Sequence, residues 1–345
     1  MVTEPSALLL RTLAGLPVER TPVWAMRQAG RWDPEFRKLR GNRPFYEFAA
    51  DVDAAAEASL LPRRFGVDAI ILFYDITTLP QALGWPFRYI PGRGPVSDQV
   101  PTCDADLAPL RQPLQNASLQ TIAQLVHRVR ARLRGELPVI AFAGAPFTVA
   151  CYCLGAGKDV SRITQYAAEH PKLWRELLEL LAERTIEFFE ALRSWGADVL
   201  QLFDSWAGEL DEACYEAWAQ AFHRRIFAQT PAPTVLYVRE CPYLKQMLDS
   251  GATAISLGLR HDLAACRRRY PRDVFQGNVD AELLARGTPE QVRAATTACL
   301  CQGGGTRHIL NLNQGMPKDA RPENFVAFVE TARQWRPPTD RAASS

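Results

Sequence analysis

The stretch DAIILFYDI, residues 68–76, is apolar at almost every position and does not alternate between apolar and polar residues. Strands buried on both faces have this pattern, and parallel sheets covered by helices contain such strands. Further runs of the same kind occupy residues 137–148, 197–206, 233–239, 252–258, 273–279 and 307–314. The pattern therefore predicts a parallel sheet with both faces buried.

Amphipathic stretches lie between these runs. In residues 119–134 the apolar side chains recur at helical spacing, and residues 173–192 and 215–227 behave similarly. A strand followed by a helix, repeated about seven times, indicates a parallel α/β fold, with residues 22–26 (PVWAM) as a candidate eighth strand. No G-x-G-x-x-G motif of an open dinucleotide-binding sheet follows the first clear strand. We therefore predict a single (β/α)8 TIM-type barrel.

The length of 345 residues suits one such barrel. We predict a single barrel domain over residues 1–336 and a disordered polar tail over residues 337–345. Residues 87–116 are rich in proline and glycine, and we predict that they form a long loop over the site.

The composition indicates neither a nucleic-acid partner nor a membrane partner. The formal charge is +2, and no stretch of about 18 apolar residues is present. The start of the chain, MVTEPSALLL, lacks the basic region of a secretory signal. The eight cysteines include no C-x2-C pair, and we expect them to be reduced thiols in the cytoplasm.

In barrels of this type the active face lies at the C-terminal ends of the strands, so the residues that end each run are candidate site residues. Arg27 and Arg31 follow residues 22–26, with Gly30 between them. Arginine binds carboxylates through two parallel hydrogen bonds and stays charged when partly buried, so this pair indicates an acidic ligand. The alternative is a solvated basic face.

Four more candidates end other runs. Asp75 follows the apolar run IILFY, either as a functional carboxylate or as a helix cap or structural ion pair. Tyr152 follows the small residues of GAPFT and is otherwise a core or interface residue. Ser205 lies outside any G-x-S-x-G motif, so a binding hydroxyl is favoured over a nucleophile. Gln314 lies in NLNQG, which closes the last run.

No cofactor and no metal is predicted. The sequence contains no phosphate-binding P-loop, no H-E-x-x-H motif and no carboxylate-rich cluster. The five histidines are scattered along the chain, and each is expected to be structural or exposed: His127, His170, His223, His261 and His308.

Taken in order, these motifs resemble those of the uroporphyrinogen decarboxylase family over nearly the whole chain. Residues 22–40 (PVWAMRQAGRWDPEFRKLR) and 68–84 (DAIILFYDITTLPQALG) are similar to the two signatures of that family. Shorter motifs match in the same order: AFAGAPFTVACY at 141–152, LQLFDSWAG at 200–208, QGNVD at 276–280 and NLNQG at 311–315, followed by PENF.

The resemblance implies a barrel that usually forms a homodimer and needs no cofactor. It implies decarboxylation of uroporphyrinogen III to coproporphyrinogen III, in which four acetate side chains become methyl groups on the route to haem and chlorophyll. By the motifs of the family, Arg27 and Arg31 hold substrate carboxylates and assist protonation, and Asp75 lies at the centre of the macrocycle. Tyr152 and Ser205 match the substrate-binding tyrosine and serine of the family.

The chain departs from the family pattern at four positions. Gln314 replaces the histidine of N-L-G-H-G and is still predicted to bind substrate, because an amide both donates and accepts hydrogen bonds. Gly258 stands where L-D-W often has aspartate, Tyr74 where serine is usual and Trp32 where tyrosine is usual. One alternative is a tetrapyrrole-binding homologue of impaired activity. Another is a corrinoid-linked methyltransferase, whose relatives need a histidine-containing zinc site that residues 236–241 do not supply.

Overall fold

The computed structural model describes residues 7–90, 94–115 and 119–337. The strands in these residues are β1 (Ile70–Ile71), β2 (Arg88–Ile90), β3 (Gly94–Val96), β4 (Val139–Gly144), β5 (Val199–Asp204), β6 (Thr234–Val238), β7 (Ala254–Ser256), β8 (Val274–Gln276) and β9 (His308–Ile309). Seven of them form one parallel sheet in the order β1-β4-β5-β6-β7-β8-β9, and β2 pairs with β3. Each of the seven apolar runs in the sequence contains one strand of this sheet.

Residues 22–26 close the ring between the first and last strands of the sheet. Val23 forms a parallel bridge with Leu310, and its carbonyl accepts from the backbone N–H of Asp68 at 2.7 Å. The Asp68 carboxylate holds this junction, because it accepts from the Val23 N–H at 2.8 Å and from both terminal nitrogens of Arg20 at 2.6 Å. The predicted α/β barrel is therefore confirmed, with the candidate eighth strand present as a single bridge.

Helices precede the first strand of the sheet, lie between its strands and follow the last strand, and several of them pack against the strands. They are α1 (Leu8–Leu13), α2 (Pro34–Arg40), α3 (Phe45–Ala50), α4 (Val52–Leu60), α5 (Thr78–Ala82), α6 (Ala108–Arg111), α7 (Gln120–Leu133), α8 (Pro146–Cys153), α9 (Val160–Glu169), α10 (Pro171–Ser194), α11 (Glu212–Tyr215), α12 (Ala221–Ala228), α13 (Leu244–Leu248), α14 (Leu263–Arg269), α15 (Glu282–Arg286), α16 (Pro289–Gly303) and α17 (Pro322–Gln334). The three predicted helices correspond to α7, to most of α10, and to a π-helical turn, Glu216–Gln220, followed by α12.

Polar side chains inside the barrel bond to one another. Trp24 Nε1 donates to Gln276 Oε1 at 3.1 Å. The Gln276 amide donates to Gln201 at 3.4 Å and to Ser256 at 3.2 Å. All four residues are buried. Because an unpaired buried polar group costs about 1–3 kcal/mol, these bonds favour the single arrangement in which β5, β7, β8 and residues 22–26 face a common interior.

Residues 87–116 contain regular structure, so the prediction of one long loop is wrong. The ribbon of β2 and β3 is followed by a 3-10 turn, Asp104–Leu107, and by α6. Tyr89 of β2 packs on the rings of Phe45 and Tyr46, with centroids 5.2 and 5.9 Å away. Residues 88–90 pair with residues 94–96, and the proline and glycine content of the segment does not reveal this pairing.

The tail prediction falls almost entirely on residues 338–345, which lie outside the described residues. The assignment of residues 1–336 to a single domain stays a prediction. No helix in the described ranges is both long enough and apolar enough to cross a membrane. All eight cysteines are free thiols.

Candidate active site

The loop after residues 22–26 turns sharply at Arg27. Its φ is 61°, in the left-handed region that residues with a side chain seldom adopt. The neighbouring Gln28 is buried and stabilises the turn, because its Oε1 accepts from the Ala25 N–H at 3.1 Å and its Nε2 donates to the Ala69 carbonyl at 3.0 Å. The turn is therefore tied to the start of β1, and it carries Arg27 to the C-terminal face of the barrel.

The two predicted arginines of this loop have exposed side chains. Arg27 packs along Gly315, where an added Cβ would lie 2.7 Å from Arg27 Cδ. Arg31 is bonded through its backbone carbonyl, which accepts from Arg37 Nη1 at 3.0 Å. In the described parts of the chain neither guanidinium group has an ion-pair partner, and no bond joins Arg31 to Asp75. Both groups are free to bind an anionic ligand.

Asp75 follows β1, and the next residues fix its orientation. Its Oδ1 accepts from the Thr77 N–H at 2.9 Å and from the Thr77 hydroxyl at 2.6 Å. The Thr77 hydroxyl lies 3.1 Å from the hydroxyl of Tyr46. The Thr77 hydroxyl donates its hydrogen bond to Asp75, so Tyr46 must be the donor to Thr77. The three residues therefore form a directed chain of hydrogen bonds. Oδ2 of Asp75 has no hydrogen bond to any described residue and is left for a ligand.

The electrostatic surroundings of Asp75 act in opposite directions. Burial raises the pKa of the Asp75 carboxyl above its ordinary value, while the two bonds from Thr77 and the positive charge of Arg27 lower it. Burial has the larger effect, so the carboxylate is poorly solvated and close to a cation. Such a group is well suited to stabilise positive charge that develops next to it.

Tyr152 lies near the end of α8 and shares this environment. Its ring packs on Trp206 with a centroid distance of 4.4 Å. Burial raises the pKa of the Tyr152 hydroxyl, the negative charge of Asp75 raises it further, and Arg27 lowers it. The structure thus brings together three residues that the sequence proposed separately: Arg27, Asp75 and Tyr152.

Ser205 directly follows β5 and is half-buried. Beneath it, Asp204 is fully buried, with its carboxylate accepting from the Thr148 hydroxyl at 2.6 Å and facing His223 Nε2 at 2.8 Å. The Thr148 hydroxyl also accepts from the Trp206 N–H at 3.2 Å. These bonds fix the turn on which Ser205 lies, and His223 is buried beneath it.

Gln314 is half-buried and immediately precedes Gly315, on which Arg27 packs. Its amide forms no hydrogen bond with the described residues. The preceding Asn313 is buried, donates to Glu240 Oε1 at 3.1 Å, and accepts from the Ala281 N–H at 2.9 Å. Gln314 therefore lies beside Arg27 on a segment that is anchored to the ends of neighbouring strands.

Tyr46, Thr77 and Glu240 belong to this region, and the sequence reasoning missed all three. Thr77 had a local signal, because an acidic residue two positions before a threonine at a strand end is typical of a side-chain-capped turn. Tyr46 and Glu240 had none, because their partners lie 31 and 73 positions away in the chain. Within residues 7–90, 94–115 and 119–337, no group of three or more His, Cys, Asp or Glu side chains is arranged to hold a metal.

Comparison with known families identifies one match over nearly the whole chain. The sequence model of the uroporphyrinogen decarboxylase family matches residues 4–335. A protein of Alkalilimnicola ehrlichii named uroporphyrinogen decarboxylase is 36% identical over 343 residues, covering 95% of this chain and 94% of the relative. A protein of the same name from Psychromonas ingrahamii is 35% identical, covering 95% of this chain and 97% of the relative.

Solved structures share the fold at lower identity. A methyltransferase from Methanosarcina mazei has a TM-score of 0.80 and 21% identity, with 94% of this chain and 97% of that chain covered. A B12-independent methionine synthase from Shewanella sp. W3-18-1 has a TM-score of 0.56 and 14% identity, with 92% and 96% covered. Likeness at these identities shows the fold alone, because one barrel fold carries many chemistries.

Proposed function

The chain belongs to the uroporphyrinogen decarboxylase family, and from this membership we infer that it is a carboxy-lyase of porphyrin biosynthesis. Its substrate is uroporphyrinogen III, whose four acetate arms become methyl groups to give coproporphyrinogen III. The observation that supports this activity most directly is the unused oxygen of Asp75, held by Thr77 beside the unpaired Arg27.

The chemistry requires a place for the electron pair that remains when carbon dioxide leaves an acetate arm. A pyrrole ring protonated at its α-carbon accepts that pair, so the substrate supplies its own electron sink. The carbon–carbon bond of the acetate breaks, and the pair moves into the ring and neutralises it. Protonation of the resulting methylene carbon gives the methyl group, and loss of the proton from the α-carbon restores the neutral pyrrole. The proposed role of Asp75 Oδ2 is to accept hydrogen bonds from the pyrrole N–H groups and to stabilise the cationic ring.

The acidic arms of the substrate account for the free polar groups around Asp75. We propose that Arg27 and Arg31 bind arm carboxylates and assist protonation, since a guanidinium group makes two parallel bonds to a carboxylate. We propose that Tyr152, Ser205 and Gln314 bind the substrate. Each of these three is half-buried in the described structure.

We also propose that the protein is a cytoplasmic homodimer. The resemblance to the family supports the dimer, and sedimentation of the purified protein at several concentrations tests it. Eight free thiols support a reducing compartment, because disulfides persist mainly in oxidising ones.

A second candidate function is tetrapyrrole binding without efficient turnover. Gln314 favours it, because an amide stands where the motif of the family has a histidine that could carry a proton. Gly258 also favours it, because it removes a carboxylate that the family often has at that position. The retained site around Asp75 favours the enzyme.

The test is anaerobic release of carbon dioxide from uroporphyrinogen by the wild-type protein and by Asp75→Asn. The asparagine keeps the shape and removes the charge that offsets a cationic pyrrole. We expect turnover by the wild type and a rate at least about a hundredfold lower in the variant, since each factor of ten corresponds to about 1.36 kcal/mol. Near-normal turnover by Asp75→Asn refutes the assigned role, and a wild type that binds without turnover establishes the second candidate.

A further inference from the structure

The carboxylate of Glu240 joins the loops that follow four consecutive strands of the sheet. Glu240 lies just after β6, and its Oε1 accepts from the Leu259 N–H at 3.0 Å and from Asn313 Nδ2 at 3.1 Å. Its Oε2 accepts from the Arg260 N–H at 3.2 Å. Asn313 extends the connection, because its Oδ1 accepts from the Ala281 N–H at 2.9 Å. The loops after β6, β7, β8 and β9 are thus tied together by two side chains.

The backbone at Glu240 is in a conformation that favours glycine. Its φ is 46°, in the left-handed region, where Cβ crowds the following carbonyl. A residue with a side chain persists there when its contacts outweigh the strain. The three hydrogen bonds of the carboxylate are such contacts, so the side chain of Glu240 stabilises a backbone conformation that glycine would adopt without strain.

The same carboxylate fills the space next to Gly258. A Cβ added at Gly258 would lie 2.7 Å from Glu240 Oε2 and 2.8 Å from its Cδ, closer than normal contact. Gly258 is the position at which this chain lacks the aspartate of the L-D-W motif. A side chain at position 258 and the present side chain at position 240 would therefore compete for one volume.

We propose that Glu240 is a positioning residue that replaces the missing side chain at position 258. Its carboxylate holds Asn313, and Asn313 holds the segment in which Gln314 lies beside the substrate and Gly315 packs on Arg27. Both carboxylate oxygens accept from protein groups, and the role proposed for Glu240 is to act through these groups. This inference rests on the proposed function, because it assigns Glu240 to the same site.

A charge-relocation cycle tests the proposal with Glu240→Gly, Gly258→Asp and the double variant. Glu240→Gly relieves the left-handed backbone but loses three hydrogen bonds, and Gly258→Asp places a second carboxylate against the first. In the double variant, glycine accepts the backbone at position 240 without strain. The new aspartate can accept from the Arg260 N–H two residues on, as aspartate does in turns.

We expect each single variant to lose at least about tenfold in kcat/KM, and the double variant to return to within about threefold of the wild type. Uroporphyrinogen affinity and the midpoint of thermal unfolding should recover in parallel. Glu240→Gln, which keeps the volume, should fold but lose activity, because in either orientation its NH2 group faces a backbone N–H, of Leu259 or of Arg260, from which it cannot accept. The matched control is Glu209→Gln, whose exposed carboxylate has only a 3.9 Å contact with Arg239 and should change nothing.

The proposal is overturned if the losses of kcat/KM in the two single variants add in the double variant. Wild-type activity in Glu240→Gln also overturns it. A wild type that binds uroporphyrinogen but releases no carbon dioxide contradicts the proposed function instead. In that case the affinity cycle, measured anaerobically by quenching of tryptophan fluorescence, still decides whether positions 240 and 258 are coupled.

Discussion

Replacement of Thr77 by valine removes one donor from Asp75 and changes the volume of the side chain very little. The lost bond joins the Thr77 hydroxyl to Asp75 Oδ1 at 2.6 Å, whereas the backbone N–H of residue 77 still donates to the same oxygen, at 2.9 Å in the present structure. A hydrogen bond to a charged acceptor contributes about 1.5–3 kcal/mol, and this contribution stabilises the ionised form of the carboxyl.

The size and direction of the effect follow from that bond. At about 1.36 kcal/mol per factor of ten, loss of a bond of this strength should lower kcat/KM by at least about tenfold at a pH where ionisation of Asp75 limits the rate. Burial already raises the pKa of Asp75, and the hydroxyl of Thr77 lowers it, so Thr77→Val raises that pKa further. Activity that needs ionised Asp75 is lost as the pH falls through this pKa, so the acidic limb moves to higher pH.

The assay is the pH dependence of kcat/KM for carbon dioxide release from uroporphyrinogen under anaerobic conditions. Thr78→Val is the matched control, because the Thr78 hydroxyl accepts from the backbone N–H of Asp75 at 3.3 Å and does not bond to the carboxylate. The control should keep the acidic limb of the wild type. An unshifted acidic limb in a folded Thr77→Val protein would show that ionisation of Asp75 does not limit the reaction.

Further predictions concern the groups around Asp75. Arg27→Lys and Arg31→Lys should each lower kcat/KM by at least about tenfold, because lysine cannot make the planar two-point contact with a carboxylate; wild-type kinetics in either variant would identify a solvated charge. Gln314→Ala should cost more activity than Gln314→His in the same assay, because the role proposed for Gln314 is to position the substrate and not to transfer a proton. A nearly inert wild type that Gln314→His activates would instead indicate that proton transfer is required there.

The barrel could be predicted from the sequence because a strand buried on both faces is a continuous run of apolar residues. Each strand of the parallel sheet lies inside a continuous apolar run, and the residue after such a run must reach the C-terminal face. The same reasoning proposes Asp75 and Arg27 as site residues. Residues 87–116 were misjudged, because pairing between two short strands depends on their partners and not on their composition.

The connections that complete the site could not be predicted, because they join loops from distant parts of the chain. Tyr46 reaches Asp75 through Thr77, and Glu240 reaches Gln314 through Asn313. Such contacts exist only after residues 22–26 have closed the ring and set the distance between neighbouring loops.

The sequence alone therefore determined the strand–helix alternation, the face on which the site lies and the residue types available there. Periodicity and strand ends are local properties that each segment carries by itself. The tertiary structure alone decided which oxygen of Asp75 is free, which side chain fills the space beside Gly258, and that Arg27 packs on Gly315. These features depend on distances between segments that are far apart in the chain. A difference of a few tenths of an ångström decides whether two polar groups form a hydrogen bond.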